Sequence, residues 1–543
     1  MEATMMHDPL GTAAIFAHGE RLHADSRIGQ FDGEEITWRS FAETASRARQ
    51  LAAALQAAGV QQNTRVATLS WNDFAHFEAY LAVPAIGAVL HTLNLRLHPE
   101  QLRYIMADAE DAFLIADGEL LSAIVTEVNS LAALKHVFVT GSAEGLSGLR
   151  KPWTAYEETI AEHSPLSDFP PVEETAAAAA CYTSGTTGNP KGVVYSHRTI
   201  FLHSLGSLAA NAFALSDRDR ILLMPPMFHA NAWGLPYSGW LAGSDFILPG
   251  PHLKPSAMRQ MIEAAAPTFT ATVPTILNDL LKADREQTID MSSFRLLVGG
   301  GSAVSQDLIA EVEQRWSVPL IQGWGMTETS PLCVLSHPSA GSDADEARRL
   351  QAKSGRPVAG MRVRVVDEED RALPEDGETV GRLQLRGFWV AKGYHGGAGG
   401  DALTADGWLD TGDAGAIDPR GYVQVTDRLK DLIKSGGEWI PTAELENQIA
   451  GLPGVDLAAV IGIADDRWEE RPLAIVTTPD GERPGFASLR GALRGRVARF
   501  WIPEYWSYAD ALPLTSVGKL DKEALRRMIA DGDLAFEKIE DFS

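Results

Sequence analysis

Residues 182–192 read Tyr-Thr-Ser-Gly-Thr-Thr-Gly-Asn-Pro-Lys-Gly and follow the apolar run Ala176 to Cys181, which reads as a buried strand. A strand that runs into glycines and hydroxyls and then a lysine has few uses. Gly185 and Gly188 let backbone N–H groups turn toward an anion without a Cβ in the way. Thr183, Ser184, Thr186, Thr187 and Lys191 add hydroxyl donors and positive charge. Such a cradle suits a triphosphate. It departs from the commonest phosphate loop, because Asn189-Pro190 stands between Gly188 and Lys191 and Gly192 replaces the metal-binding hydroxyl. Most Gly/Ser/Thr clusters are surface loops, but Pro190 followed directly by Lys191 argues against that plainer reading here.

The flanking chain alternates strand-like and helix-like segments. Between Ile36 and Ala58 apolar residues recur at helical spacing until Gly59 ends the run. Apolar runs at Val66–Ser70, Val89–Leu93, Ala112–Ala116 and His136–Thr140 read as strands, with helices at Phe74–Leu81 and Pro99–Ala109 between them. The rhythm resumes with strands at Arg220–Met224, Phe246–Leu248, Phe269–Val273, Leu296–Val298 and Leu320–Gln322 and helices at Ser256–Ala266 and Gln306–Trp316. Such alternation predicts an α/β fold with largely parallel sheets. Past Asp343 shorter pieces at Met361–Val366, Thr379–Leu385 and Gly387–Tyr394 predict a smaller β-rich subdomain.

Motifs placed just after strands fall at the carboxyl edge of a sheet, where open α/β folds bind ligands. Three stand there. Met227-Phe228-His229-Ala230-Asn231-Ala232-Trp233-Gly234 carries one histidine among apolar neighbours, a residue that is more often structural than functional. Gly299-Gly300-Gly301-Ser302 would let a flat ring lie against bare backbone, or is a tight turn. Gln322 to Pro331 includes Gly323-Trp324-Gly325-Met326-Thr327-Glu328: the tryptophan offers a stacking face for adenine, and the carboxylate can hold Mg²⁺, which prefers oxygen ligands and phosphates.

These stretches, together with Asp406 to Asp413, Gly421 to Lys434, Ser435 to Ile440 and Leu512 to Lys522, resemble in order the motifs of the adenylate-forming superfamily. That superfamily comprises acyl-CoA synthetases, luciferases and nonribosomal adenylation domains. The sequence is most similar to medium- and long-chain fatty acyl-CoA synthetases and methylmercaptopropionate-CoA ligases. The resemblance implies a large N-terminal domain over 1–426, a hinge at 427–432 pivoting on Lys430 and Asp431, and a small mobile α+β lid over 433–543. It implies that His229 lies beside the reacting carboxylate, that Trp233 gates the acyl tunnel, and that Gly299 and Pro331 border the substrate. Gly300, Gly301, Ser302, Gly323, Trp324, Gly325, Met326 and Thr327 inherit nucleotide contacts, and Asp413 and Arg428 the ribose. Thr186 and Glu328 inherit the metal. Lys519 resembles the lysine that neutralises the carboxylate and departing oxygens during adenylation, while Lys522 reads as surface, as do Asp406 and Asp410 in an acidic turn. Lys434, Gly436, Gly437 and Trp439 resemble the glycine-rich strand presented to the thiol in the second step.

The expected activity is an ATP-dependent acid-CoA ligase using Mg²⁺ and coenzyme A. Apolar Phe228, Trp233, Pro236, Tyr237 and Pro331 suggest an apolar pocket, and the resemblance of the segment His229 to Trp233 to fatty acyl enzymes implies a medium- or long-chain fatty acid. Other readings are 3-methylthiopropionate, an aryl, terpenoid or steroid acid, or a stand-alone enzyme loading a carrier protein. A luciferase-like oxygenase and a non-catalytic nucleotide binder are remoter. No Gly-x-Ser-x-Gly elbow supports an α/β-hydrolase. The net charge of −25 argues against nucleic acid as a partner. Cys181 and Cys333, far apart and without metal-type spacing, predict neither disulfide nor zinc site. No stretch reads as a secretory signal or membrane span, so the cytoplasm is expected, and the fatty acyl resemblance implies a homodimer.

Overall fold

The computed structural model describes the chain apart from residues 2, 184–188, 399–401, 436–437, 466, 480–482, 515–519 and 540–543. The chain forms two compact units, one of residues 1–362 with 386–409 and one of 363–385 with 410–543.

The first unit holds two sheets. In the nine-stranded one the order is Arg356–Pro357, Leu332–Leu335, Leu320–Gly325, Leu296–Gly300, Phe269–Thr272, Arg220–Leu222, Asp245–Leu248, Arg27–Phe31, Ile36–Ser40. The six strands from Leu320–Gly325 to Arg27–Phe31 are parallel, and the flanking strands are antiparallel. The seven-stranded sheet runs Trp153–Ala155, His136–Thr140, Phe113–Asp117, Arg65–Leu69, Val89–Thr92, Ala177–Thr183, Lys191–Ser196; only its last pair is antiparallel. The α/β expectation holds. One detail differs: Ile36–Ser40 is an edge strand, and the helix spans Phe41–Ala57. Ser40 caps that helix by accepting from the Glu43 N–H while Glu43 returns a bond to the Ser40 N–H, and this reciprocal box fixes where strand gives way to helix.

Buried apolar residues explain the layers. Met258, Met261, Ile262, Leu277 and Leu281 on Pro255–Ala265 and Pro274–Glu286 meet Leu222, Ile247 and Leu297 of the nine-stranded sheet in one core. A second core joins Leu102, Ile105 and Met106 to Ala67, Leu114 and Val137 of the other sheet.

The second unit contains a sheet whose strands are Met361–Val366, Gly381–Gly387, Leu409–Ile417 and Val423–Arg428, and beyond it an α+β region. There Leu457–Asp465 and Glu469–Thr477 form an antiparallel pair of nine residues each, covered by Thr442–Ala450 through Leu445 and Ile449. Gly387–Tyr394 is not a strand past Gly387: it turns at Phe388 and Trp389 and continues irregularly.

Candidate active site

Thr183 closes the strand Ala177–Thr183 and is paired in register with Lys191, which opens the return strand. Ser184, Gly185, Thr186, Thr187 and Gly188 lie outside the described residues. Lys191 places Nζ 5.2 Å over the ring of Tyr394.

The segment after Arg220–Leu222 is held by a side chain from the other sheet's side of the unit. Asn72 donates to the carbonyls of Leu223 and Pro225 at 2.8 and 2.9 Å and accepts from the Met227 N–H at 2.7 Å. Tyr80 donates to the Met227 carbonyl, and Ala230 to Trp233 then take φ values of 44, 52, 48 and 59°, followed by Gly234 at 74°. Five consecutive left-handed residues are costly, on the order of 1 kcal/mol for each residue with a side chain. Surrounding contacts over-determine the turn: Cys181 and Tyr80 both reach Asn231 Oδ1 at 3.4 Å, and a Cβ on Gly234 would strike the His203 ring at 2.4 Å. His203 is fully enclosed and its pKa is pushed down to about 3 by burial, so it is neutral.

This turn aims Trp233 at the glycine strand. A Cβ on Gly300 would meet Trp233 Cη2 at 2.8 Å and the Gly323 carbonyl at 3.1 Å. The chain's own indole thus lies against one side of the Gly300 backbone. His229 begins the turn half-buried, its N–H bonded to the Pro226 carbonyl at 3.0 Å. Gly299 is buried against Val304, whereas Gly301 (φ 82°) and Ser302 are exposed at the loop that follows. Gln322 accepts from the Val304 N–H at 2.6 Å and so ties that loop to the next strand.

The strand Leu320–Gly325 carries Gly323, Trp324 and Gly325 to its end, and a Cβ at Gly325 would lie 1.8 Å from the Pro331 carbonyl, so only glycine fits. Met326 leads into the short turn Thr327–Thr329. Tyr195 donates to the Thr327 carbonyl at 2.8 Å, joining the strand Lys191–Ser196 to this turn. Glu328 is buried, and Tyr394 donates to its Oε1 at 2.6 Å. The irregular segment 388–394 clasps the turn along its length: Ala391 N–H to the Glu328 carbonyl at 2.7 Å, Ser330 Oγ to the Trp389 carbonyl at 3.0 Å, Trp389 Nε1 to the Leu332 carbonyl at 2.8 Å. His203 Nε2 accepts from the Leu332 N–H at 3.3 Å, so one neutral imidazole touches both the left-handed turn and the chain following Pro331. Tyr394, Asn72, Tyr80 and His203 carry no motif signal; Tyr80 fell within the expected helix Phe74–Leu81 and Tyr394 in a segment expected as a strand.

In the second unit Asp413 and Arg428 face each other across a strand pair, Nε to Oδ1 2.9 Å. Asp410 is not a free acidic turn residue: it pairs with Arg382 and accepts from the Gly412 N–H. Asp406 stays exposed. Asp431 pairs with Arg526 at 2.7 Å, and partial burial lowers the Lys430 pKa. Lys434 is exposed and Trp439 is 45% exposed. Gly436, Gly437 and Lys519 lie outside the described residues. Lys522, expected at the surface, is largely enclosed, its side chain 10% exposed: its Nζ lies 2.9 Å from Glu446 Oε1 and donates to Thr442 Oγ1. Burial pulls its pKa down, but Glu446 and Asp427 outweigh that and hold it up, so it is a charged interior lysine.

Among the described residues no three His, Cys, Asp or Glu gather as a metal cluster, and both cysteines are free. Glu328 offers a buried carboxylate oriented by the Tyr394 hydroxyl. That donor set suits a hard cation drawing its remaining ligands from phosphates and water.

A model of the AMP-binding enzyme family matches residues 17–395, and one of the AMP-binding enzyme C-terminal domain matches 444–519. A long-chain-fatty-acid--CoA ligase of Thermus thermophilus is 43% identical over 96% of each chain. A 3-methylmercaptopropionyl-CoA ligase of Ruegeria pomeroyi is 38% identical over 98% of this chain and 99% of its own. A medium-chain-fatty-acid--CoA ligase of Ectopseudomonas oleovorans is 37% identical over 98% of each. Among solved structures, ATP-bound MatB from Rhodopseudomonas palustris superposes with a TM-score of 0.84 at 26% identity, covering 96% of this chain and 99% of that one.

Proposed function

The chain belongs to the AMP-binding enzyme family and is an ATP-dependent acyl-CoA ligase, and from that premise we propose that it activates an apolar carboxylic acid, a medium- or long-chain fatty acid. The observation that carries this reading is the seat of Trp233 over Gly300, at the end of a turn walled by buried Phe228, Leu235 and Tyr237. An acid carboxyl entering beside His229 meets apolar surface that a movable indole covers. The Thermus relative, a long-chain-fatty-acid--CoA ligase, supports the same class. The Ruegeria relative gives a second reading, 3-methylthiopropionate, which is also apolar but short.

In the proposed mechanism the acid's carboxylate oxygen attacks the α-phosphorus of ATP and pyrophosphate leaves. The thiol of coenzyme A then attacks the acyl carbon and AMP leaves. Thr183, Ser184, Gly185, Thr187, Gly188 and Lys191 hold the pyrophosphate, Asp413 and Arg428 the ribose, and Trp324 with Gly300 to Ser302 the adenine side. Lys519 offsets charge on the carboxylate and the bridging oxygen, the largest kind of contribution in such transfers. Glu328, with Thr186, would hold Mg²⁺, which supplies positive charge beside the phosphates when bound. Residues 433–543 turn about Lys430 and Asp431 so that Lys434, Gly436, Gly437 and Trp439 serve the thiol step. We further propose a homodimer in the cytoplasm; no helix among the described residues is long and apolar enough to cross a membrane.

The test is acyl-CoA formation from a panel of straight-chain acids, 3-methylthiopropionate and aryl acids. A maximum at medium or long chain length supports the reading. A maximum at 3-methylthiopropionate or an aryl acid replaces the substrate class, and AMP release without any acyl-CoA moves the acceptor to a carrier protein.

A further inference from the structure

The phosphate-loop lysine and the buried glutamate of the proposed site lie in the same unit, and each meets the same third side chain. Tyr394 engages both. Its hydroxyl donates to Glu328 Oε1 at 2.6 Å, and its ring face lies 5.2 Å from Lys191 Nζ. A phenol meeting a carboxylate through O–H and an ammonium through its π-face satisfies both charges without letting them neutralise each other.

We propose that Tyr394 is a positioning residue that holds Lys191 and Glu328 apart and preset, so that each is ready for its own partner, the phosphates for the lysine and the divalent cation for the carboxylate. The inference rests on the reading that assigns those partners.

Three further observations make Tyr394 a fixed wedge rather than a chance contact. Its segment is tied to the glutamate's own backbone by the Ala391 N–H at 2.7 Å from the Glu328 carbonyl. It is tied again at Ser330 Oγ, 3.0 Å from the Trp389 carbonyl. On the other side a Cβ added to Gly192, next to Lys191, would lie 3.1 Å from the His395 Cβ, so residue 395 abuts the strand that carries the lysine. Glu328 is buried, and a buried carboxylate turned by one short hydrogen bond has little freedom to rotate.

The two arms of Tyr394 separate by substitution. Tyr394→Phe keeps the ring under Lys191 and removes only the hydroxyl. Its predicted effect is a rise of about tenfold in the Mg²⁺ concentration for half-maximal pyrophosphate release, the loss of one charge-assisted hydrogen bond. At saturating Mg²⁺ its kcat stays near that of the parent, and thioesterification of supplied acyl-AMP is unchanged. Calorimetric titration of ATP with and without Mg²⁺ gives a readout independent of turnover: Tyr394→Phe loses most of the gain in ATP affinity that Mg²⁺ confers. Tyr394→Ala removes the wedge as well, and added Mg²⁺ does not restore it. A Mg²⁺ dependence in Tyr394→Phe equal to the parent's overturns the proposal. Glu328→Gln run alongside separates the two failures. If it too leaves the Mg²⁺ dependence untouched, the assignment of the cation to Glu328 is wrong; if it shifts the dependence while Tyr394→Phe does not, only the wedge is wrong.

Discussion

Arg428 Nε lies 2.9 Å from Asp413 Oδ1, and the two residues stand opposite each other in the ladder between Leu409–Ile417 and Val423–Arg428. The same guanidinium donates to the Thr411 carbonyl at 3.1 Å, and Asp413 is 3% exposed. A carboxylate so placed keeps its direction, which a diol needs in an acceptor.

The first prediction concerns that carboxylate. Asp413→Asn keeps the shape but turns one acceptor oxygen into a donor. Steady-state kinetics should give a KM for ATP raised about tenfold or more, the value of a hydrogen bond to a charged group, with the KM for the acid little changed. A change confined to the acid would remove the ribose role.

The second concerns the indole on the glycine strand. Gly300→Ala puts a Cβ 2.8 Å from Trp233 Cη2, so the ring must move or the strand must give. We expect kcat/KM for the acid to fall about tenfold to a hundredfold, and Gly300→Ala with Trp233→Ala to recover part of the loss, because residues in direct contact do not act additively. Additive losses in the double-mutant cycle would mean that Trp233 and Gly300 do not share the acid's entry.

The third concerns the strand Ile433–Ser435. Buried Arg471 donates to Ser435 Oγ at 2.9 Å and to the Phe500 carbonyl at 2.8 Å and pairs with Glu504, while Glu470 accepts from the Lys434 N–H at 3.0 Å. Arg471 thereby sets the residue that precedes Gly436. Arg471→Lys retains charge but loses the fork. Its expected effect is a slower thioesterification of supplied acyl-AMP, with pyrophosphate release within about twofold of the parent, because the bonds of Arg471 go to the strand assigned to the thiol step and to Phe500 and Glu504. Equal losses in both half-reactions would contradict it.

The fourth is a pH dependence of stability. Burial depresses the pKa of His203 to about 3 and those of His76 and His197 to about 4, against the ordinary 6.5. Each binds its proton more weakly folded than unfolded, so its stabilisation is full above pH 6.5 and is lost as pH falls toward the folded value. With about 1.4 kcal/mol per pH unit from each, the three together remove about 4 kcal/mol per unit below pH 6.5. Burial raises Glu446 to about 7 and Asp73 to about 6, which pulls the other way over the same range, so the direct readout is the imidazole NMR signals of the three histidines in the folded protein: they should not titrate between pH 7.5 and 5.5, and titration of any of them there would contradict the prediction.

What the sequence revealed and what it hid divides along a physical line. The strands that lead into Gly299 to Ser302 and Gln322 to Pro331 were legible because each is a short apolar run that ends in glycine, a local pattern. Helix and strand periods gave most of the parallel strands of the first unit's two sheets, but not Arg27–Phe31, Trp153–Ala155, Lys191–Ser196, Leu332–Leu335, Arg356–Pro357 or Ile36–Ser40, the last because its residues are only half-buried at an edge and alternate weakly. Tyr394, Asn72, His203 and Arg471 were invisible because each acts across more than 35 residues of chain, through bonds that no period or spacing encodes. Lys522 misled for the same reason. A lysine after Leu-Asp looks solvated, and only the fold brings Glu446, 76 residues earlier, to its side.

The central claim, that the acid is activated as its adenylate, is tested most directly by following an ¹⁸O label from the acid's carboxylate. With ATP and coenzyme A present, attack of that oxygen on the α-phosphorus and later release of AMP must leave one labelled oxygen in the AMP phosphate and pyrophosphate unlabelled. Mass spectra of AMP carrying one ¹⁸O per acyl-CoA formed are the predicted result. Unlabelled AMP, or ADP in its place, would contradict the account.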